Sequence, residues 1–300
     1  MHSREHMIRA MWTLFEPIHS VSYFSAQARD AFASIGLTRY WDGYFAGRAA
    51  PLGAVSAAPV TAIFAGFSPF LVERAVPQVW AVASVESVLG ARAEGAAATL
   101  RDLVPDEAVI EAAADALAQV VRRVDSAGRP LAAANLALPD ESDPYRRLWQ
   151  SAATLREHRG DGHVIALVTE QIAGLAAIVL RSAVDLDAAV MKTARGWRDE
   201  QWDAQADDLV ERGLLTAKRT ITENGATALN RAEHLTNRLA LSPWQGMDDD
   251  AVISLARRLE PLARACQNAF PHPDLIGMPQ LWDPDDDPSA EAIPELPVAG

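Results

Sequence analysis

The chain has 300 residues, 49% of them hydrophobic, enough for a real core in one large or two ordinary domains. A formal net charge of −13 disfavours nucleic acid or anionic membrane as partners, and the single cysteine, Cys266, excludes an internal disulfide framework and a Cys-based zinc site within one chain. The most apolar run, 164–180, is interrupted by Thr169, Glu170 and Gln171 and falls short of the roughly 20 apolar residues of a membrane span.

In chain order, the charged start Met1-His2-Ser3-Arg4-Glu5-His6 leads into no apolar run ending at a small-residue cleavage site, so a cytoplasmic protein without a signal peptide is expected. Ile8, Met11, Trp12, Phe15, Ile18 and Val21 recur every three or four positions and predict a helix over 7–33, with a kink or fresh start near Glu16 because Pro17 follows. Residues 40–53 alternate small and aromatic side chains, as where helices pack very closely. Helices are expected at 57–64 and 69–80, the second with Ser68 as N-cap and Pro69 in its first position. Helical periodicity runs from 84 to about 124, and further helices are placed at 129–137, 143–158 and 163–182, so the first 182 residues read as an all-helical domain.

From 183 to 266 the pattern changes. A short helix over 185–192, a turn at 193–197 and a helix over 198–212 are followed by Gly213-Leu214-Leu215, then Thr220-Ile221-Thr222 and Asn224-Gly225, then a long helix to about 241. That order predicts a winged helix-turn-helix with a small β-wing, so the fold class expected is mainly α with that module behind the helical domain. One more helix covers 248–266. Residues 267–300 read as an acidic, Pro-rich tail that cannot fold alone, with Leu275, Ile276, Leu281 and Trp282 as anchors onto the body.

The second helix of a helix-turn-helix enters the major groove, where Lys and Arg neutralise phosphates. Here it carries Asp199, Glu200, Asp203, Asp207, Asp208 and Glu211 against Arg198 and Arg212, and Lys218 and Arg219 compensate thinly. The charge pattern argues against nucleic acid and for a module used in packing or in a homodimer contact.

Candidate chemistry lies earlier in the chain. Glu16, His19 and Tyr23 stand at i, i+3 and i+7 on one face of an otherwise apolar helix, a costly arrangement unless they bond to each other or to a ligand. Two alternatives stand beside a site there: an outward Glu16 with a His19–Tyr23 pair satisfied in the core, and a di-iron centre, which needs a second Glu-x-x-His pair that the chain lacks. Tyr44 and Arg48 are one helical turn apart among glycines, and an arginine in apolar surroundings clamps a carboxylate, that of Glu16 or of a ligand, or else reaches water. Arg74 is a weaker case of the same kind, with Glu73 or solvent to satisfy it. Phe64 and Phe67 are further candidate ligand contacts. Glu157-His158-Arg159-Gly160-Asp161-Gly162-His163 reads as a Gly-rich turn, in which Asp161 caps the next helix or joins His158 and His163 on a metal. Dinucleotide, P-loop, zinc-protease and nucleophile-elbow motifs are absent, so no cofactor and no resident metal are assigned.

Taken together, Glu16-Pro17-Ile18-His19, the run from Tyr44 to Gly53, Arg74-Ala75-Val76-Pro77-x-x-Trp80, the run from Glu157 to His163 and Gly196-Trp197 resemble the SalK-like family of actinobacterial proteins, over most of residues 8–265. The resemblance implies a MarR-like winged helix behind a helical domain, and assigns no catalytic residue. The function expected is binding, and acid/base transformation, of a small anionic or carbonyl-bearing molecule in the helical domain. His19 would be the acid/base group, Tyr23 and Tyr44 hydrogen-bond donors, Arg48 the anion clamp and Glu16 an orienter, with Phe64, Phe67, Arg74 and His163 as further contacts. The alternatives are a ligand-responsive transcription regulator and a metalloenzyme using His19, His158 or His163.

Overall fold

Helix α1 (Arg4–Phe24) runs unbroken through Pro17, against the expected kink. Every residue from Thr13 to Tyr23 is buried, and packing on all sides outweighs the roughly 3 kcal/mol that an interior proline costs. The break comes later, at Ser25, whose hydroxyl accepts the Ala28 N–H and caps α2 (Ala26–Ser34). The computed structural model describes residues 4–270 and 280–286.

Short helices follow: α3 (Tyr40–Ala49), α4 (Ala57–Ile63), α5 (Pro69–Glu73) and α6 (Val79–Val82). Gly43 and Gly47 of α3 are required by closeness, because a Cβ on either would sit 3.0 or 2.8 Å from the Phe32 ring. Beyond them lie α7 (Val85–Leu103), α8 (Glu107–Val121) and α9 (Pro130–Leu136). Helix α10 (Pro144–Thr169) passes straight through the segment expected to be a Gly-rich turn. Gly162 is there for a neighbour: a Cβ would come within 2.7 Å of the Arg129 guanidinium, which donates to the carbonyls of His158 and Leu239. The chain then turns at Gln171 and Gly174, both at positive φ, into α11 (Leu175–Ser182), so the expected helix over 163–182 is two.

The helix-turn-helix consists of α12 (Ala188–Arg195), capped by Asp187 and ended by Gly196 in the left-handed region, and α13 (Asp199–Glu211). The expected β-wing does not form. A single isolated bridge pairs Leu215 with Ile221, and no strand occurs among the described residues. The returning arm is too short to become one, because Thr222 already caps α14 (Glu223–Leu239) and Asn224-Gly225 lie in its first turn. The fold is therefore all-helical, with a wingless helix-turn-helix.

Helix α15 (Asp249–Asn268) shares a core with α1, α7, α8 and α10. Trp282 is sealed in the same core, its N–H on the Thr13 hydroxyl, and Leu281 is buried beside it. Leu275 and Ile276 lie outside the described residues. A second core joins α2 to α7, and a third joins the end of α10 to α11–α14. No described helix is long and apolar enough to cross a membrane.

Candidate functional site

On α1, Glu16, His19 and Tyr23 are all buried. The Trp12 indole donates to Glu16 Oε2 at 2.7 Å, and His19 Nε2 lies 2.5 Å from the Tyr23 hydroxyl. Burial, reinforced by the Arg156 charge, pushes the His19 pKa well below its ordinary value, and burial pushes that of Tyr23 up. His19 is thus a neutral imidazole whose Nε2 accepts the Tyr23 proton, which leaves the ring N–H on Nδ1, a buried atom with no protein partner. The ring stacks at 6.3 Å on Trp149, whose indole donates to the His19 carbonyl, so it is fixed in place. It borders a void of about 20 Å³, on the scale of one water molecule, shared with Ser22, Tyr23, Asn135 and Glu157.

Tyr23, Tyr44, Arg48 and Glu157 form the far wall of that void, and on their other side a cavity of about 320 Å³ opens. Arg48 donates to Glu157 from Nε at 3.0 Å and Nη2 at 2.9 Å, and to the Tyr44 hydroxyl from Nη1 at 3.1 Å, with its guanidinium 4.0 Å over the Phe64 ring. Arg156 adds a second cation to Glu157 and one to Glu16. Burial alone would raise the Glu157 pKa, but Arg48 and Arg156 hold it at about 2.

The opposite wall comes from the helix-turn-helix side: Ala177, Ile178 and Arg181 of α11, Met191 and Arg195 of α12, and Glu233 of α14. Glu233 joins three elements, accepting from Arg9 of α1 and Arg159 of α10, and these cations hold it at about 2 against its burial. His163 lines the cavity with Nδ1 3.0 Å from the Thr236 hydroxyl, and burial lowers its pKa to about 4. Asp161 accepts the Leu131 and Ala132 N–H groups, so it caps α9 from outside; its burial raises it to about 6.

Between these walls, the loop after α4 closes the cavity with Phe64, Ala65, Gly66 and Phe67. The same loop grips the helix-turn-helix. Ser68 N–H donates to the Arg195 carbonyl at 2.9 Å, and the Trp197 indole donates to the Gly66 carbonyl at 2.9 Å.

Of the residues singled out in the sequence, Glu16, Tyr23, Tyr44, Arg48, Phe64, Phe67 and His163 line this one cavity. His19 stands behind it, on the small void. Arg74 does not take part: it is exposed, with its guanidinium over Phe70. Sequence reasoning missed Glu157 as the partner of Arg48, and missed Arg156, Arg195 and Glu233. Their common signal, charged residues on helices with buried faces, is too general to pair them. Among the described residues no three His, Cys, Asp or Glu side chains converge as a metal-binding group; His158 lies beside the Ser242 hydroxyl instead.

The surface of α13 is acidic, and three of the nearby cations are engaged there. Arg219 pairs with Asp203 and Asp207, Arg212 with Asp208, and Lys192 with Asp199. Charge alone therefore still speaks against nucleic acid. No curated protein and no solved structure matches the chain. The model of a helix-turn-helix family matches residues 8–273, covering the helical body as well as α12 and α13. The chain belongs to that helix-turn-helix family.

Proposed function

We propose that the chain is a ligand-responsive helix-turn-helix regulator, in which a small organic molecule in the 320 Å³ cavity sets the position of α12 and α13 for nucleic acid. One observation carries this reading: the loop from Phe64 to Ser68 is at once a wall of the cavity and the clamp on the α12–α13 turn. A molecule that displaces Phe64 or Phe67 acts directly on that clamp. In this reading Tyr44, Arg48, Phe64, Phe67 and His163 touch the ligand, and Glu16 positions Arg156. The blocks that resemble the SalK-like family include Glu16, Tyr44, Arg48, Glu157 and His163 of the cavity lining and Gly196-Trp197 at the gripped turn, which supports placing the chain there.

Contact with DNA must then work around the α13 carboxylates. Arg198 and Lys218 are exposed and outside any ion pair among the described residues, and they lie at the N-cap of α13 and in the loop that follows it. Carboxylates can accept from the cytosine amino group in the major groove. Binding of this kind is weak and steeply salt-dependent. The test is a mobility shift with duplexes tiling the DNA upstream of the protein's own gene, at roughly 50 mM salt. The expected result is a sequence-dependent band that weakens in Arg198→Ala and Lys218→Ala; no band on any duplex would overturn the reading.

A second reading, acid/base catalysis, has the His19–Tyr23 pair in its favour. Tyr23 lines the cavity and its hydroxyl is hydrogen-bonded at 2.5 Å to the neutral His19 imidazole. Substrate turnover by the wild type that is lost in Tyr23→Phe would support it.

A further inference from the structure

The arginines around the cavity are not equivalent. Arg48 is held twice by Glu157, Arg156 lies between Glu157 and Glu16, Arg159 is on Glu233, and Arg181 is on Asp185. Arg195, the last residue of α12, has no carboxylate within ion-pair distance among the described residues. Its guanidinium lies 4.5 Å over the Phe67 ring and interacts with the Tyr44 hydroxyl, and burial lowers its pKa from the ordinary arginine value. A half-buried cation held on an aromatic face without a counter-charge is a ready anion site.

Its surroundings say what the rest of the anion resembles. Arg195, Tyr44 and Phe67 belong both to the 320 Å³ cavity and to an adjoining, more apolar recess of about 550 Å³. Phe24, Tyr40 and Trp41 wall that recess on the body side, and Val190 and Ala194 of α12 on the other. The recess is of a size that takes a drug-sized ligand, and its one charged side chain is Arg195.

We propose that the molecule recognised is an amphipathic monocarboxylic acid, its carboxylate on Arg195 and the Tyr44 hydroxyl, its apolar body in the recess between α3 and α12. A single planar guanidinium matches a single carboxylate through two parallel hydrogen bonds, and the aromatic walls exclude a ligand that is polar throughout. The ligand bridges the body and the helix-turn-helix, with its head on the residue whose carbonyl receives the Ser68 clamp. This rests on the regulatory reading and names the class of its effector. It moves the effector's apolar body from the 320 Å³ cavity into the adjoining recess, with only its head at the boundary formed by Arg195, Tyr44 and Phe67.

The test is titration calorimetry with 2-naphthoate and decanoate, each beside its neutral counterpart, 2-naphthylmethanol and decanol. The acids are expected to bind about tenfold or more tightly than the alcohols, the worth of a charge-assisted hydrogen-bonded pair. Arg195→Gln is expected to erase that preference while leaving the affinity for the alcohols unchanged, which also shows that the variant is folded. Val190→Trp, which fills the recess, is expected to abolish binding of all four. Equal binding of acids and alcohols to the wild type would overturn the carboxylate assignment and leave the cavity reading intact. Absence of binding by all four probes would overturn this proposal while leaving the mobility-shift result to decide the regulatory reading.

Discussion

Arg48 and Glu157, 109 positions apart, meet through two hydrogen bonds of 3.0 and 2.9 Å in the interior, and so tie α3 to α10. Each is a charge that burial alone would neutralise or expel, so the pair is costly to break from either side. The two sides are not symmetrical, because Glu157 also serves Arg156. Arg48→Met leaves Glu157 with one cation, whereas Glu157→Gln strands one guanidinium outright and halves the pairing of another. Breaking a buried pair costs about 3–5 kcal/mol, and the glutamine variant is expected at the upper end and the methionine variant below it. Urea unfolding of the two variants orders them; an equal or reversed order would show that Arg156 contributes nothing to holding Glu157.

Acid should unfold this protein early. His19, His158 and His163 have folded pKa values depressed below the ordinary 6.5, the last two to about 3 and about 4, each chiefly by burial. Their contribution is complete above pH 6.5 and is lost as the pH falls toward those values, since the unfolded chain takes up protons that the folded one refuses. Glu157 and Glu233, at about 2 when folded against 4.5 ordinarily, act in the same direction below pH 4.5. Asp161 opposes them: raised to about 6 by burial, it binds its proton more tightly when folded, so it favours the fold as pH drops from 6 toward 3.8. Three histidines outweigh one aspartate. Near pH 5 unfolding should take up roughly two protons, a slope of about 3 kcal/mol per pH unit. Chemical denaturation at half-unit steps from pH 7 to 4.5 measures it, and a flat profile would mean that the histidines are reached by water.

Much of the helical architecture was readable from periodicity alone, because an apolar stripe every three to four residues has few other uses. What was misread has two causes. Pro17 should have broken α1 and Gly160 and Gly162 should have opened a turn, local preferences overruled by packing from far along the chain. Asn224-Gly225 should have closed a hairpin, but a nearer signal, the Thr222 cap, draws them into α14. Gly162 faces Arg129, Gly225 faces the Leu214 carbonyl, and Pro17 lies in a helix wrapped on all sides. The site was readable by residue type and unreadable by pairing. A buried arginine implies a carboxylate, yet nothing near Arg48 distinguishes Glu157 from Glu16. Arg195 drew no attention because its significance lies in the partner it lacks.

The acidic face of α13 makes a prediction about non-specific DNA binding that needs no operator. Asp203 and Asp207 are exposed and hold Arg219 against the helix. Replacing both with Asn removes two negative charges and frees a third group, the Arg219 guanidinium, for phosphate. Affinity for a random duplex at low salt should rise by about an order of magnitude, with a steeper dependence on salt concentration. Fluorescence anisotropy across a salt series reads both quantities; unchanged affinity would mean that α13 does not face the duplex.

The clamp between loop and helix-turn-helix can be tested through a pair of glycines. Gly196 and Gly213 both sit at positive φ, +72° and +69°, one before α13 and one after it. Adding a Cβ costs each about 1–2 kcal/mol of left-handed strain. At Gly213 nothing lies within 4 Å of the new atom, so that strain should be the whole effect. At Gly196 the new atom would meet the Leu71 side chain at 2.8 Å and the Ser68 hydroxyl at 3.1 Å, forcing the turn away from the residues that hold it. Gly196→Ala should therefore cost more than Gly213→Ala in thermal unfolding, and it alone should speed hydrogen exchange at the Ser68 amide and the Trp197 indole. It should also weaken binding of any ligand that bridges the cavity, since Arg195 moves with the turn. Equal costs with unchanged exchange would show that the α12–α13 turn is held by its own helices, and that the loop merely lies against it.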